Sequence, residues 1–129
     1  MTAPAKNKQE AVRIAIALHL GAKWWLFDSG WTRLSFKDLS EVGGFVLVDA
    51  PKDPAKVFFS DTVPDYCNDL NAIVDACRKL ITDEDYGMFE HHMCNEIEAE
   101  SQESYVKFYF ASPMAYCLAL CQTLGINLI

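Results

Sequence analysis

His91, His92 and Cys94 are the residues whose types come closest to a metal site, because imidazole nitrogen and thiolate sulfur are the usual ligands of zinc. Cys67 or Cys77 would have to complete the coordination. Adjacent histidines point to different sides of a helix or a strand, and no Cys-x-x-Cys pair occurs. We therefore predict no bound metal and no cofactor, and keep a metal-binding protein or an enzyme that uses His91, His92 and Cys94 as the alternative.

Other catalytic patterns are weaker or absent. Cys117 and Cys121 are four residues apart and would share one face of a helix, but cysteine is among the most buried residue types, which favours core packing. The sequence has no Gly-x-Gly-x-x-Gly, phosphate loop, nucleophile elbow or His-Glu-x-x-His, the motifs of common nucleotide and hydrolase chemistry. We expect a protein that is not an enzyme.

Negative charge is concentrated in the later part of the chain. The net charge is −7, although residues 1–37 contain more basic than acidic side chains. No Lys or Arg interrupts the acidic run between residues 83 and 103, which contains Asp83, Glu84, Asp85, Glu90, Glu96, Glu98, Glu100 and Glu103. Such a run is typical of a solvated helix face. It would also suit an interaction surface whose carboxylates occupy the nucleic-acid-binding groove of a partner protein, with no direct contact to nucleic acid.

Aromatic and basic residues are concentrated around the first predicted turn. They are Lys23, Trp24, Trp25, Phe27, Trp31 and Arg33, a combination that could stack on single-stranded nucleic acid or on a peptide. Core packing is the simpler interpretation. Because side chains alternate along a strand, we expect one of Trp24 and Trp25 in the core and the other at an interface. We include Trp31 in the predicted interaction surface.

The composition indicates one domain over residues 1–129, with residues 1–8 flexible. The chain is 51% hydrophobic and 22% charged, which is enough apolar material for a core. An odd number of cysteines argues against a secreted disulfide framework, so we expect a cytoplasmic protein. The apolar stretch at residues 11–22 contains Arg13 and His19 and is too short to span a bilayer, so we expect no membrane partner.

Local patterns predict five elements in the first half of the chain and four in the second. They are a helix at 9–20 ended by Gly21, a hairpin of strands 22–27 and 32–36, and strands at 45–48 and 57–59. A helix at 69–81 capped by Asn68 follows, then a helix that begins with a capping box at Thr82, a strand at 105–110 and a helix from Pro113 to Gly125 capped by Ser112. A strand near 92–97 is the alternative to the third helix, and 98–103 is expected to be loose.

This order predicts an α+β fold, specifically a three-layer α-β-α sandwich whose small, mostly antiparallel sheet is covered by helices. Several segments resemble the phage ABA sandwich domain family of small phage and prophage proteins. They are Leu20-Gly21 followed by Lys23-Trp24-Trp25, the Tyr66–Ala72 segment YCNDLNA, Thr82-Asp83-Glu84, and the ending Ser112-Pro113, Ala115, Ala119 and Leu124-Gly125-Ile126. The resemblance covers roughly residues 11–126 and implies helical layers on both faces of a sheet, with no established catalytic residue or cofactor.

Together these features predict a non-enzymatic phage-type interaction protein that binds and modulates a host protein complex through its acidic surface. An inhibitor of host defence such as an anti-CRISPR protein is one example, by analogy with other phage proteins. A self-associating phage accessory protein, such as a homodimer, remains a further alternative.

Overall fold

The computed structural model describes residues 5–101 and 111–126. Its elements are α1 (Lys8–His19), β1 (Lys23–Phe27), β2 (Thr32–Ser35), β3 (Phe45–Val48), a 3₁₀ turn (Pro54–Lys56), β4 (Val57–Phe59), α2 (Leu70–Leu80), α3 (Tyr86–Ser101) and α4 (Pro113–Thr123). The chain forms two compact units, the first ending at Pro64 and the second beginning at Asp65. The strand expected at 105–110 lies outside the described residues.

Helix α1 lies within one residue of its predicted bounds, and capping residues close both ends. The Asn7 side chain accepts a hydrogen bond from the backbone N–H of Glu10 at 2.9 Å, which satisfies one of the free donors of the first turn. At the other end, Gly21 has a φ of 105°, a conformation that glycine adopts without the steric penalty of a side chain. The predicted first helix is confirmed.

The four strands form one sheet in the order β3-β1-β2-β4. The β1–β2 hairpin and the β1–β3 pair are antiparallel, whereas β2 and β4 are parallel. All four strand predictions in this part of the chain are confirmed, and so are the α+β class and the mostly antiparallel sheet.

One face of the sheet contains most of the buried strand residues. Leu34 is completely buried, and Trp24, Thr32 and Val57 are nearly so. From α1, the Arg13 guanidinium lies 4.0 Å from the centroid of the Phe59 ring at the edge of this face. Arg13 also donates hydrogen bonds to the carbonyls of Val63 and Pro64 at 2.6 and 3.0 Å.

Helix α2 confirms the second predicted helix but corrects its cap. The side chain of Asp69, not Asn68, accepts the hydrogen bond from the N–H of Ala72 at 3.1 Å. Asn68 instead donates from its amide to Asp65 at 2.8 Å. Because Asn and Asp cap helices about equally well, the helical stripe alone could not choose between two neighbours.

Helix α3 confirms the third predicted helix over residues 86–97 but begins later than predicted, at Tyr86, because residues 83–85 form a turn. The N–H of Asp85 donates to the Thr82 hydroxyl, and that hydroxyl donates to the Asp85 carboxylate. The strand alternative at 92–97 is wrong, because Phe89, Met93 and Ile97 are buried at helical spacing. The prediction of a loose segment from 98 is also wrong as far as 101, the last described residue of the helix.

Helix α4 packs against both α2 and α3. Ser112 caps it by accepting from the N–H of Ala115 at 3.1 Å, and Pro113 occupies its first turn, as predicted. Phe89 and Tyr116 join α3 to α4, with ring centroids 6.5 Å apart. No helix within residues 5–101 and 111–126 has the length and apolar character needed to cross a membrane.

Candidate functional site

The second face of the sheet presents aromatic side chains to solvent. Register places Leu47, Trp25, Arg33 and Phe58 side by side in one row across β3, β1, β2 and β4. In the next row Phe45 pairs with Phe27. Phe27, Phe58 and Leu47 are 40%, 47% and 56% exposed, whereas the opposite face has its central residues buried. An exposed group of large aromatic side chains is more often a binding surface than a chance feature of a soluble fold.

The hairpin turn adds Trp31 to this face. The N–H of Phe27 donates to the carbonyl of Trp31 at 2.8 Å, and the N–H of Gly30 donates to the carbonyl of Phe27 at 2.9 Å. Gly30 has a φ of 90°, which allows the chain to reverse tightly there. The turn therefore holds Trp31 opposite Phe27, where the Trp31 ring meets the Phe58 ring with centroids 4.4 Å apart.

Two aromatic pairs border a cleft of about 320 Å³. Phe27 and Phe45 have ring centroids 4.9 Å apart on one side, and Trp31 and Phe58 form the other side. The Arg33 guanidinium lies 5.6 Å from the centroid of Phe45, within cation–π range. We call this site the aromatic cleft; its lining residues are Phe27, Ser29, Trp31, Arg33, Phe45 and Phe58.

Trp25 corrects the expectation that one tryptophan of the Trp24-Trp25 pair is left at an interface. The two side chains lie on opposite faces, as alternation requires, yet both are buried, Trp24 being 5% and Trp25 6% exposed. Among the described residues nothing accepts a hydrogen bond from the buried Nε1 of Trp25. A buried donor of this kind is costly without an acceptor.

A second cleft of about 560 Å³ lies beside Trp25 on the same face. Lys23, Ser35, Lys37 and Asp38 supply its polar groups. Hydrogen bonds from Ser40 hold the pKa of the Asp38 carboxyl below its usual range, and Lys23 acts in the same direction. The cleft thus combines two ammonium groups with one ionised carboxylate, and we call it the polar cleft.

The acidic residues of α3 do not lie on one side of the helix. An α-helix turns by about 100° per residue, so Glu96 and Glu98 project in nearly opposite directions. Glu98 is exposed, whereas Glu96 is half-buried and accepts a hydrogen bond from Gln122 of α4 at 2.7 Å. Glu90 is exposed on the same helix. Glu96 therefore joins two helices, which a residue of a free docking surface would not do.

The acids before α3 also differ in exposure and in whether another side chain engages them. Asp83 and Glu84 are exposed, but Asp85 is half-buried and belongs to the capping box with Thr82. The side chain of Glu100 and the whole of Glu103 lie outside the described residues. Of the predicted interaction surface, the exposed members with described side chains are Asp83, Glu84, Glu90, Glu98 and Trp31.

The His91, His92 and Cys94 combination does not assemble further ligands in the described part of the chain. The two imidazole rings are adjacent on α3 with centroids 5.7 Å apart. Asn95 lies 3.4 Å from Nε2 of His91, and Cys94 is half-buried. No group of three or more His, Cys, Asp or Glu side chains in residues 5–101 and 111–126 is arranged to hold a metal ion.

Four cysteines of the second unit are buried and interact with one another. They are Cys67, Cys77, Cys117 and Cys121. A hydrogen bond to Cys67, together with burial, raises the pKa of the Cys117 thiol. Burial raises the pKa of Cys77 and that of Cys121 to about 12. All three thiols keep their protons at neutral pH, which makes them poor nucleophiles because the thiolate is the reactive form.

Sequence reasoning found part of the exposed face and missed the rest. It singled out Phe27, Trp31 and Arg33, but not Phe45 and Phe58, which come from separate strands. Alternation within each strand was visible, but the pairing of β3 with β1 and of β4 with β2 decides which residues meet.

The chain matches no known protein-family model, and neither a curated protein nor a solved structure shows similarity to it.

Proposed function

We propose that this protein is a non-enzymatic interaction protein that binds a partner protein complex through the aromatic face of its sheet. The observation that carries the proposal is the aromatic cleft, where exposed Trp31 and Phe58 stack and Arg33 lies beside Phe45. Tryptophan and arginine are the residue types most enriched among those that dominate binding energy. A cluster of this kind serves binding without needing a nucleophile or a general base.

The family resemblance extends the proposal to the partner. Resemblance to phage proteins points to the cytoplasm of a bacterial host and to a host complex, such as a defence system, as the target. The acidic version of this proposal has less support, because Glu96 and Asp85 are already engaged by Gln122 and Thr82. Asp83, Glu84, Glu90 and Glu98 are the exposed acids that it would use.

Affinity capture from nuclease-treated bacterial lysate tests the proposal. Wild-type protein is compared with a Trp31→Ala/Phe58→Ala variant and with Tyr86→Ala, which removes an aromatic side chain that is 52% exposed on α3. We expect a protein complex to remain on the wild type and on Tyr86→Ala but not on the double variant. Capture that is equal on all three, or absent from all three, contradicts the proposal.

An additional variant separates the two surfaces. Asp83→Lys/Glu84→Lys reverses the two exposed acids ahead of α3 and leaves the sheet unchanged. We expect this variant to capture the same complex as the wild type. If reversal of these charges abolishes capture and loss of Trp31 and Phe58 does not, the acidic surface is the binding site.

A further inference from the structure

The aromatic cleft combines an apolar wall with a single positive charge. Phe27, Phe45, Trp31 and Phe58 supply the wall, and Arg33 is the only charged residue in the described part of the chain that lines the cleft. A volume of about 320 Å³ is at the small end of ligand sites and suits one large side chain. The cleft therefore favours an apolar group with a negative charge next to it.

Within residues 5–101 and 111–126, no carboxylate forms an ion pair with Arg33, whose side chain is exposed. By contrast, Arg13 on the opposite face donates hydrogen bonds to two backbone carbonyls. A guanidinium beside aromatic rings binds a carboxylate through two parallel hydrogen bonds, and partial desolvation strengthens that contact.

The adjoining polar cleft offers a place for the rest of an extended peptide. Lys23 and Lys37 are exposed there, and Trp25 is among the lining residues. Trp25 and Arg33 are neighbours in register, so one short segment could reach both clefts.

Charge distribution favours a peptide over single-stranded nucleic acid. A polynucleotide needs several cations that follow its phosphates. Among residues 5–101 and 111–126, the aromatic cleft has Arg33 alone, and the polar cleft balances two lysines with Asp38. The chain as a whole has a net charge of −7, which repels a polyanion at long range.

We propose that the aromatic cleft binds a peptide segment in which an aromatic or large aliphatic side chain is accompanied by an Asp or Glu, the apolar side chain filling the cleft and the carboxylate pairing with Arg33. This inference rests on the proposed function and adds the chemistry of the partner.

Selection from a phage-displayed library of short random peptides tests this proposal. The library is selected separately on wild type, Arg33→Glu, Trp31→Ala and Lys52→Glu, the last being an equal charge change at an exposed position that lines neither cleft. We expect wild type and Lys52→Glu to enrich peptides with an acid close to an aromatic or leucine residue. Arg33→Glu should enrich a basic residue in place of the acid, and Trp31→Ala should enrich neither.

Affinity measurements with one synthetic peptide from the wild-type selection complete the test. We expect Arg33→Gln to weaken binding by roughly tenfold or more, the usual value of a hydrogen-bonded charge pair, and Arg33→Lys to restore part of it. Circular dichroism checks that each variant is folded. Any one of three results overturns the proposal. These are peptide binding that is unaffected by Arg33→Gln, selection of the same acidic peptides on Arg33→Glu, and no enrichment of peptides on the wild type.

Labelled single-stranded oligo(dT) is measured in parallel at low salt. Binding that depends on Trp31 and Arg33, and that is absent for the peptides, identifies nucleic acid as the occupant and also overturns the proposal. The proposed function fails separately, when capture of a protein complex from lysate does not depend on Trp31 and Phe58.

Discussion

Gly44 lies directly against the ring of Phe27, just before β3 pairs with β1. A methyl group at Gly44 would be 2.8 Å from Cε2 of Phe27 and 3.3 Å from Oδ2 of Asp28. The backbone at Gly44 also has a φ of 93°, a region in which residues with a side chain are strained. The close approach allows Phe27 to pack against Phe45 at the border of the aromatic cleft.

The first prediction concerns this contact. Gly44→Ala should displace the Phe27 ring and lower the free energy of unfolding by about 1–3 kcal/mol, the usual range for backbone strain of this kind. Gly43→Ala is the matched control, because a methyl group there meets no atom within 4 Å. Urea unfolding of the two variants measures the difference. Equal stability of the two would show that the Gly44 backbone is not constrained.

Partner capture extends the same comparison. Because Phe27 forms one wall of the aromatic cleft, we expect Gly44→Ala to weaken binding even at temperatures where the protein is folded. Gly43→Ala should bind as the wild type does. Full binding by Gly44→Ala would place the partner away from this wall.

Most elements of the fold could be predicted because their signals are local. The hydroxyl of Ser112 caps α4 within its first turn, and the spacing of Phe89, Met93 and Ile97 marks the buried side of α3. These patterns need no knowledge of distant parts of the chain. Where two local signals were equivalent, as for Asn68 and Asp69, the prediction chose the wrong neighbour.

The aromatic cleft was harder to predict because it depends on the register in which the four strands pair. Alternation correctly placed Trp24 and Trp25 on opposite faces, but it could not indicate that both faces are covered at that position. Likewise, a shift of one residue in the pairing of β4 would exchange Phe58 with its neighbours on the other face. Arg33 meets Phe58 only because of the parallel β2–β4 pairing, which the sequence pattern does not specify.

The cap of α2 provides the second prediction. Asp69→Ala should lower the free energy of unfolding by about 1 kcal/mol, because the N–H of Ala72 loses its acceptor. Asn68→Ala removes only an exposed side-chain contact to Asp65 and should cost less than about 0.5 kcal/mol. Urea unfolding under identical conditions checks both values. A larger loss for Asn68→Ala than for Asp69→Ala would contradict the observed cap.

The third prediction follows from the buried thiols of the second unit. A thiol has an ordinary pKa of 9.0, whereas burial raises the pKa of Cys77 and Cys121 to about 12. Between these pH values the unfolded chain has released protons that the folded chain still holds. The contribution of these two thiols to the free energy of unfolding is therefore complete below pH 9. It falls as the pH rises from 9 towards 12.

Comparison of variants isolates this effect from the titration of other side chains. Cys121→Ala removes one raised thiol, so its stability should fall less steeply above pH 9 than that of the wild type, even if it is less stable at neutral pH. Cys94→Ala leaves the four interacting cysteines in place and should retain the wild-type slope. Urea unfolding at a series of pH values measures these slopes. Parallel curves of stability against pH for wild type and Cys121→Ala would contradict this prediction. They would mean that the Cys121 thiol ionises equally easily in the folded and unfolded chains.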